Sequence, residues 1–180
     1  LENLGDGLKV GICWRSGLQT AERSVWYPHL DHWKAIFEAK NCHFINLQYG
    51  DTRDDIDYFK KHFNVDIYEP EGLDLRDDFA GCAALTAACD IVVTIAAAPS
   101  MMSFAVNTPI LWLFPAKPWW CFGQAPYTPL FPNCRILTPE TIRDWNDVAS
   151  QAGEWLQKAT THKGPFDQDF FKGTLGKGDK

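Results

Sequence analysis

A chain of 180 residues, 46% apolar and 14% aromatic, is long enough for one domain with a real core and lies outside the composition of disordered chains. Its net charge of −6, with lysines and arginines scattered rather than blocked, argues against broad electrostatic binding of nucleic acid. No apolar run reaches the ~18 residues of a membrane span, and the start, LENLGDGLKV, lacks the basic-then-apolar pattern of a secretory signal.

Strand-length and helix-length segments alternate along the chain. LKVGICW (8–14) is a strand, followed by a polar loop. DHWKAIFEAK is a helix with Asp31 as N-cap and Trp33, Ile36 and Phe37 at i, i+3 and i+4. HFINLQY (43–49) is the second strand. DDIDYFKKHF is the second helix, with acids first and lysines last as the macrodipole favours. VDIYE is a short third strand, and LRDDFAGCAALTAAC an Ala-rich helix opened by Asp77 and Asp78, with Phe79, Cys82 and Leu85 on one stripe. DIVVTI, a continuous β-branched run, is a strand buried on both faces. After it come an apolar helix, the strand PILWLF, a long aromatic loop, the short strand CRIL, and an amphipathic helix, DWNDVASQAGEWLQKAT.

This alternation predicts an α/β fold: a doubly wound, mostly parallel six-stranded Rossmann-like sheet with helices on both faces. Residues 1–160 form the domain, and the Gly- and Lys-rich residues 161–180 a flexible or loosely packed tail. The abrupt start just before a strand is expected of a piece of a larger protein. Six cysteines without C-x-x-C spacing, and five dispersed histidines, predict free thiols, a reducing cytoplasmic setting and no metal site.

In such sheets ligands bind outside the carboxyl ends of the strands, which selects three loops. After the first strand, Arg15 offers a charged fork suited to phosphate, Ser16 a hydroxyl and Gly17 close backbone approach, or else Arg15 forms a strand-end salt bridge over a glycine turn. Past the second strand, Gln48 and Tyr49 are suited to bonding and stacking on a base, or else form an ordinary turn with Asp51 as helix cap. Beyond the fourth strand, 96–100 read Ala-Ala-Ala-Pro-Ser, where helix amides can hold an anion without side-chain help. No G-x-G-x-x-G follows the first strand, and neither a P-loop nor a G-x-S-x-G elbow occurs.

Taken together, VGICWRSG, FINLQYGD, DDFAGCAALTAACDIVVT and PSMMSFAVNTPILWLF resemble the carboxyl-terminal Rossmann-like half of GT-B glycosyltransferases, closest to heptosyltransferase-like domains linked to tetratricopeptide repeats in bacterial proteins. The resemblance spans roughly residues 8–137, and PWWCFG and APYTPLFPNCRIL look like the family's later tryptophan loop and proline-rich segment. It implies that this half binds a nucleotide diphosphate sugar as donor substrate, with no other cofactor. An amino-terminal domain or partner chain supplies acceptor contacts and usually the catalytic base. By resemblance, Trp14, Arg15, Ser16 and Gly17, with Gln19 and Thr20 beyond, form the first phosphate-binding loop. Gln48 and Tyr49 lie near the nucleoside, and Ala97, Ala98, Ser100 and Met101 at the fourth helix hold the diphosphate and sugar.

The sequence departs from the family where it often writes Asp-Thr and then His: those positions are Ala96, Ala97 and Met101, with Ser100 the one polar survivor. Hydrogen bonds to a charged group are worth roughly 1.5–3 kcal/mol each. Losing two or three corresponds to about 10²- to 10⁴-fold in donor affinity. Two readings result. One is a donor-binding half of an inverting glycosyltransferase, which requires that Arg15 and the turn at Ala96 share one diphosphate-sized pocket. The other is a degenerate, non-catalytic docking module using aromatics such as Trp119, Trp120, Phe122, Tyr127 and Phe131. An ordinary nucleotide-dependent enzyme on the same sheet ranks third, lacking the dinucleotide signature.

Overall fold

The protein is described by a computed structural model covering residues 1–17, 20, 22–118 and 126–172. Six strands, β1 (Leu8–Cys13), β2 (Cys42–Asn46), β3 (Ile67–Tyr68), β4 (Ile91–Ile95), β5 (Ile110–Leu113) and β6 (Cys134–Leu137), form one sheet in the order β3-β2-β1-β4-β5-β6. Every pairing is parallel. The order runs outward in both directions from the β1–β4 pair, so the loops leaving β1 and β4 diverge at the switch point where such sheets open a crevice.

The unbroken apolar strands are explained by period-two alternation between two cores. Val10, Ile12, Ile91, Val93, Ile95, Leu111 and Leu113 face one, together with Trp33, Phe59, Val148 and Trp155. Ile45, Val92, Ile110, Trp112 and Ile136 face the other, beneath Leu85 and Phe104. The first face is covered by α1 (Lys34–Phe37), α2 (Arg53–Phe63), α5 (Trp145–Thr161) and α6 (Gln168–Lys172), the second by α3 (Phe79–Ala87) and α4 (Ala98–Ala105). The Asp78 carboxylate caps α3 at Gly81 N–H, and Asp144 caps α5 at the Asn146 and Asp147 amides. Asn64, in the left-handed region at φ 53°, ends α2.

Three local expectations need correction. The segment from Leu30 is a 3₁₀ turn, Leu30–Trp33, capped by His29 and followed by the single turn of α1, so Asp31 is not an N-cap. Its carboxylate instead accepts the Tyr58 hydroxyl and faces His29 Nδ1 at 3.1 Å, which ties the turn to α2. On α3, Phe79 is 70% exposed and the buried contact comes from Thr86, because an Ala-rich helix has no bulky stripe to bury. Nor is the described part of the tail loose: Phe170 and Phe171 are buried, with ring centroids 5.4 and 6.0 Å from Trp155. Two adjacent phenylalanines outweigh the polar composition around them.

No helix among the described residues is long and apolar enough to cross a membrane. Five cysteines are described as free thiols, and burial pushes those of Cys13 and Cys89 up to about 12. They behave as small core hydrophobes.

Candidate functional site

The carboxyl edge of the sheet carries several hollows. The one at the end of β1, about 420 Å³, is walled by Arg15, Ser16, Arg23, Tyr49, Asp51 and Arg76. Three guanidiniums therefore surround a space with one carboxylate. Asp51 is already forked onto Arg53, Oδ1 to Nε at 3.0 Å and Oδ2 to Nη2 at 2.6 Å, and those bonds hold its carboxyl down to about 2. Among the described residues neither Arg23 nor Arg76 makes an ion pair.

Arg15 is held differently. Its Nε meets Asp55 Oδ2 at 2.5 Å and its Nη2 donates to the Asp51 carbonyl at 2.6 Å. Asp55 stands in the first turn of α2, where the helix macrodipole favours a carboxylate. Its same oxygen accepts the Trp14 indole N–H at 2.8 Å. Trp14 itself is fully buried, edge-on to Phe59 at 5.4 Å, so it belongs to the core and not to a ligand surface. Ser16 lines the hollow. At Gly17 an added Cβ would lie 2.4 Å from the Tyr49 ring, so only glycine lets Tyr49 pack this close, and the Gly17 N–H donates to the Tyr49 hydroxyl at 3.3 Å. Thr20 is exposed, and its carbonyl accepts the Arg23 and Ser24 amides in a turn. Gln19 lies outside the described residues, as do Trp119, Trp120 and Phe122 of the aromatic loop.

Gln48 is buried, 1% exposed, beneath the hollow. Its Oε1 accepts from Trp14 N–H, Arg15 N–H and the Cys13 thiol at 3.2, 3.0 and 3.2 Å. The carboxamide oxygen is thus committed to the protein.

The start of α4 differs from the sequence expectation. Pro99 has no N–H, and the Ala97 and Ser100 amides already donate to the Ile95 and Ala97 carbonyls, so among residues 97–100 at most the Ala98 N–H is left for an anion. The Ser100 hydroxyl is buried and donates to the Ala97 carbonyl at 2.6 Å. Ala96, Ala97, Ser100 and Met101 border an apolar hollow of about 490 Å³ with Trp112 and Leu130. Ala98 faces another, about 120 Å³, between α3 and α4, with Tyr49, Phe79 and Met102. Arg15 borders neither of these. The pocket expected between Arg15 and the turn at Ala96 is therefore divided, with Tyr49 on the boundary between the Arg15 hollow and the α3–α4 slot.

Arg23, Arg76 and Asp55 escaped the sequence reading. The signal available for the two arginines was positional: both lie on connections leaving the carboxyl ends of β1 and β3. Arg76 also borders a third, polar hollow of about 320 Å³ floored by Asn46, Gln48 and Thr52 with Glu69 at its rim. Asp55 gave no signal beyond the acidic first turn of its helix. No group of three or more His, Cys, Asp or Glu side chains suited to a metal occurs among the described residues.

No family model matches the chain. Among curated proteins it is similar to Protein FlbA of Caulobacter vibrioides, 37% identical over 157 residues that cover 87% of this chain. Those residues make up 26% of FlbA, so the chain spans about a quarter of the length of the curated relative it matches.

Proposed function

We propose that this chain is the donor-binding half of a glycosyltransferase-like protein. In this reading, which gives up the single pocket shared by Arg15 and the turn at Ala96, the diphosphate of a nucleotide sugar sits among the arginines of the hollow at the end of β1, and an acceptor domain or partner chain completes the catalytic cleft. The observation that carries it is the convergence of Arg15, Arg23 and Arg76 on one space beside the switch point. Guanidinium forks match phosphate oxygens in pairs, and fixed cations stabilise charge on a departing diphosphate. They supply the positive charge that Ala96, Ala97 and Met101 do not. The apolar slot bordered by Tyr49 and Phe79 and the polar hollow floored by Asn46 and Thr52 both adjoin this space through Arg76, in keeping with a ligand that has a ring and hydroxyls beside its phosphates. The buried free thiols fit the reducing, cytoplasmic setting that we propose with it.

Thermal shift in uridine, guanosine, adenosine and cytidine diphosphates and their sugars tests the reading. A ligand at a hundred times its Kd adds about 2.7 kcal/mol, roughly 5–10 °C for a domain of this size. Arg76→Ala and Arg23→Ala are expected to abolish most of the rise. Flat curves across all ligands would falsify the donor-site reading.

One observation favours a second reading, a non-catalytic docking module. Met101 and Leu130 are 50% and 61% exposed around the apolar hollow at α4, where the family resemblance places the sugar. Such a module binds a nucleotide without supporting transfer or hydrolysis of any nucleotide sugar, even with its acceptor domain present.

A further inference from the structure

We infer that Gln48 is a positioning residue that locks the β1 and β2 loops into the shape of the anion hollow and does not itself contact the diphosphate; the inference rests on the anion-site reading above. The family resemblance puts Gln48 beside the nucleoside, but the geometry assigns its polar atoms elsewhere. One carbonyl oxygen gathers both amides that follow β1, Trp14 and Arg15, and the Cys13 thiol. On its other side the Nε2 donates to the Tyr49 carbonyl at 3.1 Å, and the Gln48 N–H is anchored on Asn46 Oδ1 at 2.8 Å.

The consequence is mechanical. Arg15 and Tyr49 both line the same hollow, and the buried carboxamide bonds the backbone of each. Without it, the buried Trp14 amide and the part-buried Arg15 amide lose their acceptor, the Cys13 thiol is left with the Arg15 carbonyl at 3.8 Å, and the two loops separate or drift. A carboxamide suits this position because it supplies an acceptor and a donor on one planar group.

Two substitutions separate positioning from bulk stability. Gln48→Met keeps the volume and removes every side-chain hydrogen bond of this residue. Gln48→Glu mimics the carboxamide when protonated, with a carbonyl to accept and an O–H to donate to Tyr49. When ionised, it loses that donor and faces the anion. The Oε1 position is faced by the Cys13 thiol, pushed up to about 12 by burial and so neutral, and by the Trp14 and Arg15 N–H groups, while the polar hollow that Gln48 borders carries the charged side chains of Glu69, Asp74 and Arg76. Burial raises a carboxyl placed here and the two backbone N–H donors at its oxygen lower it, so the pH at which the affinity changes reports their balance.

The experiment is calorimetric titration of each variant with inorganic pyrophosphate from pH 5 to pH 8, expressed against the unmodified chain at the same pH, with hydrogen exchange at the Trp14 and Arg15 amides. Gln48→Met is expected to bind at least about tenfold more weakly, the equivalent of one lost buried hydrogen bond, and to expose both amides to exchange. Gln48→Glu should bind nearly as the unmodified chain at pH 5 and lose affinity toward pH 8, a dependence that loss of stability alone does not produce. Unchanged affinity in Gln48→Met, or affinity equal to that of the unmodified chain at every pH in Gln48→Glu, overturns the inference. If the unmodified chain does not bind pyrophosphate, the anion-site reading fails. Exchange then still decides the structural claim: continued protection of Trp14 and Arg15 in Gln48→Met overturns it, and loss of protection upholds the lock alone.

Discussion

The Arg15 guanidinium and the Asp55 carboxylate meet at 2.5 Å, Nε to Oδ2, with side chains only 12% and 18% exposed. Because the same oxygen takes the Trp14 indole N–H, one carboxylate in the first turn of α2 fixes two consecutive side chains at the end of β1. A cation at the mouth of the sheet is thereby coupled to a tryptophan in its core. Asp55→Ala leaves a mostly buried guanidinium and an indole N–H without this partner, so it is expected to destabilise the fold by about 2 kcal/mol, less than for a fully buried pair because water still reaches both groups. Urea denaturation of Asp55→Ala, Arg15→Met and the double variant should give a coupling of about 1 kcal/mol or more. A strictly additive cycle would show that the contact carries no energy.

Asp51 offers a prediction in pH. Its carboxyl is held at about 2, against an ordinary 3.8, first by the side-chain and backbone hydrogen bonds from Arg53. A depressed acid contributes stability that is fully present above its ordinary value and lost as pH falls through about 2. The carboxyl carbon of Asp51, followed by nuclear magnetic resonance, should therefore titrate near the bottom of the pH 4 to 2 window. Arg53→Ala should return its midpoint toward 3.8. Since the pair is fully exposed, 0.5 M salt should recover part of that return in the unmodified chain.

The frame was legible because it is written in periodicities. Continuous runs such as DIVVTI can be satisfied only by a strand covered on both faces, and the structure divides Ile91, Val93 and Ile95 from Val92 between two cores. The position of Arg15 at a strand end was legible for the same reason. Its partner was not: Asp55 lies forty residues away, and nothing local distinguishes it from Asp54 or Asp57. Gln48 is legible as a polar group at a strand end, but a sequence does not record that neighbouring backbone amides occupy its carbonyl oxygen. At Ala96–Ser100 the sequence likewise does not show that the Ala97 and Ser100 amides bond inward.

The tail supplies a test of burial against composition. Phe171 is fully buried, its carbonyl accepts from Arg135 Nη1, and Lys158 Nζ lies 4.2 Å from the Trp155 ring that packs on it. Phe171→Ala removes a core ring and is expected to cost about 3–5 kcal/mol, whereas the exposed Gln168→Ala should change stability by less than about 0.5 kcal/mol. Melting temperatures of the two variants check this. Equal, small effects would return residues 162–172 to the status of a loose tail.

Gly153 sits in the middle of α5, where intrinsic helix propensity favours alanine by about 1 kcal/mol. Packing opposes that gain. A Cβ at this position would stand 2.3 Å from the Ala35 carbonyl oxygen of α1. The obstacle is backbone, which cannot rotate aside as the end of a long side chain can, so α1 and α5 would have to separate. Overpacking of this kind costs about 1–3 kcal/mol after relaxation, and separation also loosens Trp33 and Ile36 in the core they share with α5. Gly153→Ala is therefore expected to lower stability in urea despite the better helix former, while Glu154→Ala, one residue on and exposed, stays near neutral. A stabilised Gly153→Ala would mean that α1 is free to move away from α5, and the close approach of these two helices would not then be a constraint of the fold.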